Sequence, residues 1–397
     1  MQYIERDIEP TIEKHLSSRE IIAIVGPRQC GKTTLIEHML ENLTHVNKIS
    51  FEDIKVLRLF EEDIDSFIER YVKNYKYLFI DEVQYSKDSG KKLKFIYDTF
   101  HIKILISGSS APELSIQSLK FLVGRIFIFQ LYPFSFAEFL RAKNPQLFLI
   151  FQKGGYKNEI QMQLNKLLLE YILFGGYPRV VLAKTEEEKK LILENIYNIF
   201  LLKEIKEILE LSENDKLIHL MKALSLQIGN MINYNELSIL TGFQFHELKH
   251  YLKILEETYI CNRISPYFTN KRTELVKIPK IYFFDLGFRN ICIDNFNRER
   301  TDQGAMFENF IFSELIKKGK RIKFWRSKGG GEVDFILNDE IPVEIKTKTT
   351  QKTPKSLQSF IEKYQPKKGF VVSLNQTSRR KVGKILLTSF TQFIAQY

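Results

Sequence analysis

A chain of 397 residues exceeds what one typical hydrophobic core organises, so several domains are expected. With 44% hydrophobic and 27% charged residues, 19 Gly and 11 Pro, the composition excludes a disordered or fibrous protein. The formal charge of +11 is uneven: positions 301–397 hold 18 Lys and Arg against 9 Asp and Glu, a bias that suits a polyanion such as DNA and is equally met by a plain solvated surface.

The segment MQYIERDIEP is charged from Glu5 onward, and no apolar run approaches the roughly 18 residues of a membrane span, so neither export nor membrane insertion is expected. Residues 21–25, IIAIV, form a short apolar run that stops at Gly26, and the helical-looking TTLIEHMLENL follows after a loop. That loop, Gly26-Pro27-Arg28-Gln29-Cys30-Gly31-Lys32-Thr33, satisfies G-x-x-x-x-G-K-[ST], the P-loop that cradles phosphates. Gly26 and Gly31 let the backbone turn its N–H groups toward an anion, and the following helix presents its positive end. Lys32 is expected on the β- and γ-phosphates, the Thr33 hydroxyl on Mg²⁺, and Thr34 among the nucleotide contacts; the ligands are therefore ATP and Mg²⁺.

A second buried strand, Tyr77-Leu78-Phe79-Ile80, delivers Asp81 to the metal shell in a Walker B pattern. The adjoining Glu82 can orient and deprotonate water, which favours hydrolysis over phosphoryl transfer to a metabolite. A third strand ends in Ser107, Gly108, Ser109 and Ser110, whose hydroxyls either sense the γ-phosphate or belong to an ordinary loop. Arg125, beside Gly124 and ahead of another apolar run, is read as an arginine finger or as the partner of a surface acid. Cys30, Cys261 and Cys292 lie too far apart for a C-x-x-C site or a disulfide framework, which fits a reducing, cytoplasmic setting.

From about Pro133 the pattern turns helical, interrupted at Gly175-Gly176-Tyr177-Pro178. Between Ser212 and Ser265 the spacing predicts a winged helix-turn-helix: Leu237, Ile239 and Leu240 pack its second helix, Gly242 makes the turn, and Leu248, Tyr251, Leu252 and Leu255 form the buried stripe of the next helix. Gln244, His246, Lys249 and His250 fall on the polar face. After a strand at 280–285, the last region reads helix, three strands, helix and strand. The expected division is a P-loop ATPase domain (1–140), a helical segment (141–211), the winged helix-turn-helix (212–270) and a small α/β domain (271–397).

Taken together, GPRQCGKTTL, FIDEVQ, ILISGSS, LVGRI, YPFSFAEFL, FGGYPRVV, GEVDF and VEIK resemble the prokaryotic AAA-like ATPases that carry a C-terminal domain of unknown function. The resemblance spans essentially the whole chain. It implies an α/β P-loop NTPase with an AAA/RecA-like parallel sheet, a helical segment, a winged helix and a restriction-endonuclease-like terminal domain of the PD-(D/E)XK type.

In that last domain Asp334 sits in a strand and nine residues separate it from Glu344, with Lys346 on the same face as Glu344 by alternation. Asp334 and Glu344 can share one Mg²⁺, Glu308 on the preceding helix can complete the shell, and Lys346 can position the attacking water. The arrangement resembles the PD-(D/E)XK constellation with Val in place of Pro before Asp334; the competing reading is a degenerate nuclease fold whose charges bind DNA or protein. Two functions follow: an ATP-driven switch or motor acting on DNA, or an ATP-regulated protein-interaction module with an inactive nuclease-like domain. A small-molecule kinase lacks any evident acceptor pocket.

Overall fold

Apolar alternation builds the first sheet with a core on each face. The computed structural model describes residues 3–109, 120–154, 158–199, 205, 214–327, 329–348, 352–376 and 379–397. Two units form, Met1–Phe134 with Glu257–Tyr259, and Ser135–Glu256 with Ile260–Tyr397. In the first, β1 (Ile21–Gly26), β2 (Val46–Ser50), β3 (Tyr77–Asp81), β4 (Lys103–Ser109) and β5 (Ile126–Gln130) lie in the order β2-β3-β4-β1-β5. All four pairings are parallel.

Ile21, Ala23, Leu78, Ile80, Ile104 and Ile106 pack on one face against Phe51, Phe60, Phe67 and Leu93. Their neighbours in sequence, Ile22, Ile24, Phe79 and Leu105, pack on the other against Leu35, Ile36 and Met39. Strands buried on both faces read as continuous apolar runs, and each such side chain stabilises by about 1.5–3 kcal/mol. β2, whose VNKIS is only half-buried at the sheet edge, carries no such run and is not evident in the sequence. Because the strands are parallel, Gly26, Asp81 and Ser109 all arrive at one carboxyl-terminal edge.

The second unit opens with a capping box: the Ser135 hydroxyl accepts from the Glu138 amide, and the Glu138 carboxylate accepts from the Ser135 amide, at the start of helix Phe136–Lys143. Helix Asn158–Phe174 stops at Gly175, which has φ 76° and where a Cβ would lie 2.1 Å from Asp285 Oδ1. Gly176 N donates to Asp285 Oδ2 at 2.7 Å, and Pro178 starts the next helix, Pro178–Leu182. The Gly175–Pro178 run is thus a corner stapled by a buried aspartate.

Helices Asn214–Leu226, Tyr234–Thr241 and Phe245–Glu257 are followed by β6 (Cys261–Ile264) and β7 (Lys280–Phe283), an antiparallel pair. Gly242, at φ 70°, ends the middle helix, and Leu248, Tyr251, Leu252 and Leu255 are buried as expected. One expectation is corrected: Leu237 is buried, but Ile239 and Leu240 are 84% and 51% exposed. In this eight-residue helix Leu237 and Thr241, four positions apart, set the inward face, which leaves Ile239 opposite and Leu240 on the flank.

The terminal sheet comprises β8 (Ile322–Arg326), β9 (Glu332–Leu337), β10 (Ile341–Lys346), β11 (Gly369–Ser373), β12 (Arg380–Val382) and β13 (Ile385–Ser389), in the order β12-β13-β11-β10-β9-β8. β8, β9 and β10 are antiparallel neighbours, and helix Lys355–Tyr364 crosses over to bring β11 parallel to β10. Leu357 and Phe360 of that helix pack on Trp325, Val333 and Ile336. Among the described residues no helix is long and apolar enough to cross a membrane.

Candidate functional site

At Gly26 a Cβ would lie 2.0 Å from the Leu131 carbonyl oxygen, so no side chain is admissible where β1 turns into the loop. Gln29 (φ 59°) and Gly31 (φ 97°) are left-handed and curl the chain into helix Lys32–Leu40, whose first N–H groups have no intrahelical acceptor. Lys32 is buried, and its Nζ donates to the carbonyls of Gly26 and Pro27 at 3.2 and 3.1 Å. Arg28 donates to the Tyr85 hydroxyl at 3.2 Å, and Thr34 is exposed. Cys30 contributes backbone only: its Sγ lies 3.4 Å from the Leu131 carbonyl, and burial pushes the thiol up.

The Thr33 hydroxyl donates to Asp81 Oδ2 at 2.8 Å across the loop, while Asp81 Oδ1 accepts from the Ser107 hydroxyl and from Glu82 N at 3.1 Å. A hydroxyl and a carboxylate oxygen in contact, at the mouth of a loop of backbone amides, fit a Mg²⁺ ion carried by a nucleotide. Glu82 is left-handed at φ 53°, a conformation unusual for a side-chain-bearing residue, and its carboxylate accepts from the Gln84 amide. The same amide donates to Ser109 Oγ at 2.8 Å. Ser109 therefore stands beside the candidate base through Gln84; Ser110 lies outside the described residues.

Arg125 is corrected. It precedes β5, its carbonyl accepts from Ile21 N at 2.8 Å, and it thus occupies the amino-terminal edge of the sheet. The phosphate loop is at the opposite edge, about 15–20 Å away for five or six residues of strand. Its guanidinium grips Asp98 in two hydrogen bonds of 2.9 and 3.3 Å, so it is the surface ion pair and not an arginine finger for this loop.

Two residues that the sequence pattern does not single out complete the site. Gln84 is one; its signal is an amide two positions after the candidate base, at the start of a tight turn. Arg6 is the other: nearly fully buried, it donates to the Cys30 carbonyl at 2.9 Å and to the Tyr132 carbonyl at 2.6 Å. It braces the underside of the P-loop from a segment remote in sequence. Arg6→Ala, which leaves both buried carbonyls short of a charged donor, is expected to cost about 2–3 kcal/mol in urea unfolding and to weaken ATP binding about tenfold. Unchanged nucleotide affinity in a destabilised protein would make Arg6 a purely structural brace.

In the terminal sheet the register Val343↔Phe335, carried one residue further, sets Glu344 opposite Asp334. Ile345 N donates to Asp334 Oδ2 at 2.7 Å, and Lys346 Nζ donates to Glu344 Oε1 at 2.7 Å. Glu344 Oε2 is buried and has no hydrogen-bond partner among the described residues. Burial, then the neighbouring carboxylates Glu308 and Asp334, push Asp334 and Glu344 each up to about 7. Glu308 adjoins them with its carboxylate already engaged: it accepts from the Tyr282 hydroxyl at 2.5 Å and pairs with Lys280 Nζ at 3.5 Å. Among the described residues no three His, Cys, Asp or Glu side chains gather as a metal-holding group. Asp334 and Glu344 are brought together with an orphaned oxygen that suits a divalent cation, while the neighbouring Glu308 is held by Tyr282 and Lys280.

Comparisons with known proteins match three successive stretches of the chain. Residues 18–140 match the AAA domain family, residues 165–299 a domain of unknown function (DUF8612), and residues 303–393 a second one (DUF4143). An uncharacterized protein of Haemophilus influenzae is 28% identical over 345 residues, covering 81% of this chain and 80% of its own length. An uncharacterized protein of Methanocaldococcus jannaschii is 26% identical, covering 84% and 75%. Among solved structures, a Walker-type ATPase of Pyrococcus abyssi superposes with a TM-score of 0.48 at 15% identity over 73% of this chain and 96% of that one. The match to the AAA domain family over 18–140 falls on the loop, acid and parallel sheet described above.

Proposed function

We propose that the chain is a Mg²⁺-dependent ATPase that acts on DNA. The observation that carries the first half is the direct contact of Thr33 with Asp81, with Glu82 next in sequence and turned by its left-handed backbone. Bound with ATP, Mg²⁺ would neutralise β- and γ-phosphate charge. The loop amides and Lys32 hold the phosphates, Thr33 and Asp81 orient the metal-bearing end, and Glu82 accepts a proton from the attacking water.

For the second half, helix Phe245–Glu257 presents His246, Lys249 and His250 on its exposed face in front of the β6–β7 pair, the order of elements in a winged helix. The terminal unit adds exposed Lys348, Arg380 and Lys381, with Lys352 and Arg379 nearby in sequence. DNA affinity is expected to follow these cations: reversing Lys249, Arg380 and Lys381 together should lower affinity at low salt and flatten the dependence of log K on log salt by about 0.9 for each phosphate no longer neutralised. Absence of binding to single-stranded, duplex and branched DNA at low salt would favour the alternative, an ATP-regulated protein-interaction module. That alternative has its own support in Ile239, Leu240 and Phe245, apolar side chains 84%, 51% and 52% exposed on the same helix pair.

In the terminal sheet we read Asp334 and Glu344 as a divalent-metal pair and Lys346 as the cation beside the scissile phosphate of a nucleic acid. Cleavage supported by Mg²⁺ or Mn²⁺ is expected to vanish in Asp334→Ala and in Lys346→Ala and to survive Lys32→Ala. Cleavage retained in Asp334→Ala would remove that pair from the reaction.

A further inference from the structure

Lys280 is the charged residue that the β6–β7 pair contributes to the carboxylate cluster. It opens β7, and its side chain is 3% exposed. A buried ammonium is tolerated only where it is paired, and Lys280 is paired twice, with Glu308 Oε1 at 3.5 Å on helix Gln303–Lys317 and with Glu332 on β9. It also stands 5.4 Å from the centre of the Phe324 ring on β8. Tyr282, two residues on and on the same face of β7, donates its hydroxyl to Glu308, so both inward groups of this strand hold the same carboxylate.

Charge counting then separates the cluster into two parts. Four carboxylates (Glu308, Glu332, Asp334 and Glu344) meet two ammonium groups, Lys280 and Lys346. Lys280 is taken up by Glu308 and Glu332, and Lys346 by one oxygen of Glu344. Each part is left with one negative charge more than it has positive, and in the second the open position is the other oxygen of Glu344, which is buried and has no hydrogen-bond partner among the described residues. The two parts together are short of two positive charges, and the open place for a cation lies beside Asp334 and Glu344.

We propose that Lys280 is the built-in counter-ion of this cluster: it holds Glu308 and Glu332 out of the metal shell, so that a divalent cation is bound by Asp334 and Glu344 alone, more weakly than the full set of carboxylates would bind it. This rests on the reading of Asp334 and Glu344 as a metal pair. The charge and the tether act in the same direction, since an ammonium inside the cluster repels the incoming ion and also occupies the carboxylate that could serve as a third ligand. Because Lys280 belongs to β7, anything that shifts the β6–β7 pair, such as a ligand on it, moves the cation that limits the metal.

The test is Mn²⁺ binding to the full chain without nucleotide, followed by electron paramagnetic resonance, with Glu344→Gln identifying the site. In the wild type, Glu344→Gln should abolish the site, and Glu308→Gln, which removes a nearby charge but no ligand, should weaken it by no more than about threefold. Lys280→Met should tighten binding about tenfold or more, and in that background Glu308→Gln should weaken it by about tenfold, because only there is Glu308 released to serve as a ligand. Lys280→Arg, which keeps the charge and guards against a folding defect, should stay at wild-type affinity. A Glu344-dependent site that Lys280→Met does not tighten, or that Glu308→Gln weakens as much in the wild type as beside Lys280→Met, overturns the role of Lys280 alone. No Glu344-dependent Mn²⁺ in either background overturns the metal pair and the role of Lys280 with it.

Discussion

Glu82→Gln is expected to bind ATP with wild-type affinity and to hydrolyse it about 10²–10⁴-fold more slowly, the worth of a positioned general base. The separation of binding from turnover follows from the local hydrogen bonds. Asp81, which meets Thr33 at 2.8 Å and also takes the Ser107 hydroxyl, is untouched by the substitution, so the metal-bearing end of the site is preserved. The Gln84 amide that now meets the Glu82 carboxylate can donate equally to a glutamine oxygen, and the left-handed backbone at position 82 is unchanged. Only the proton acceptor is lost. Single-turnover hydrolysis alongside equilibrium nucleotide titration separates the outcomes: unaltered turnover places the base elsewhere, and lost ATP binding makes Glu82 a support for the loop instead.

The nucleotide site was legible because its parts are short-range. Gly26, Lys32 and Thr33 lie within eight residues, and Asp81 follows an apolar run that reads as a buried strand. What escaped is what the fold brings in from a distance or hides in polar sequence. Arg6 reaches the Cys30 carbonyl from 24 residues upstream, and nothing in YIERD marks that arginine as buried. Strand β2 is missed because VNKIS lies half-exposed at the edge and lacks the apolar run of its neighbours. Arg125 was placed by motif, but only the strand direction tells which edge of a parallel sheet a residue joins, and Asp98, 27 positions away, claims it. In the terminal unit Asp334 and Glu344 could be paired from strand alternation alone, whereas Lys280 could not, since its partners Glu308 and Glu332 lie 28 and 52 positions further on. A lysine opening the otherwise apolar KIYFF was the available signal: a charge on a buried strand must find a counter-charge.

Lys32→Ala is expected to weaken ATP binding by at least about a hundredfold, from the loss of two charge-assisted hydrogen bonds at about 1.5 kcal/mol each. Without nucleotide the ammonium is held by the Gly26 and Pro27 carbonyls, bonds that ATP must replace with phosphate oxygens. Exchange of neutral acceptors for a polyanion is what makes this lysine specific for the bound state: a charge that is almost fully buried and served by carbonyls gains from each phosphate oxygen that approaches. For the same reason the substitution should hardly lower the stability of the nucleotide-free protein, because it removes a buried cation whose acceptors are neutral. Lys32→Arg should rescue little, since the planar guanidinium does not fit where a compact ammonium sits between two loop carbonyls. Isothermal titration with a non-hydrolysable ATP analogue, set beside a urea unfolding curve of the same variant, decides the matter: undiminished affinity sinks the phosphate-loop assignment, and a large loss of stability assigns Lys32 to the fold of the loop and not to its ligand.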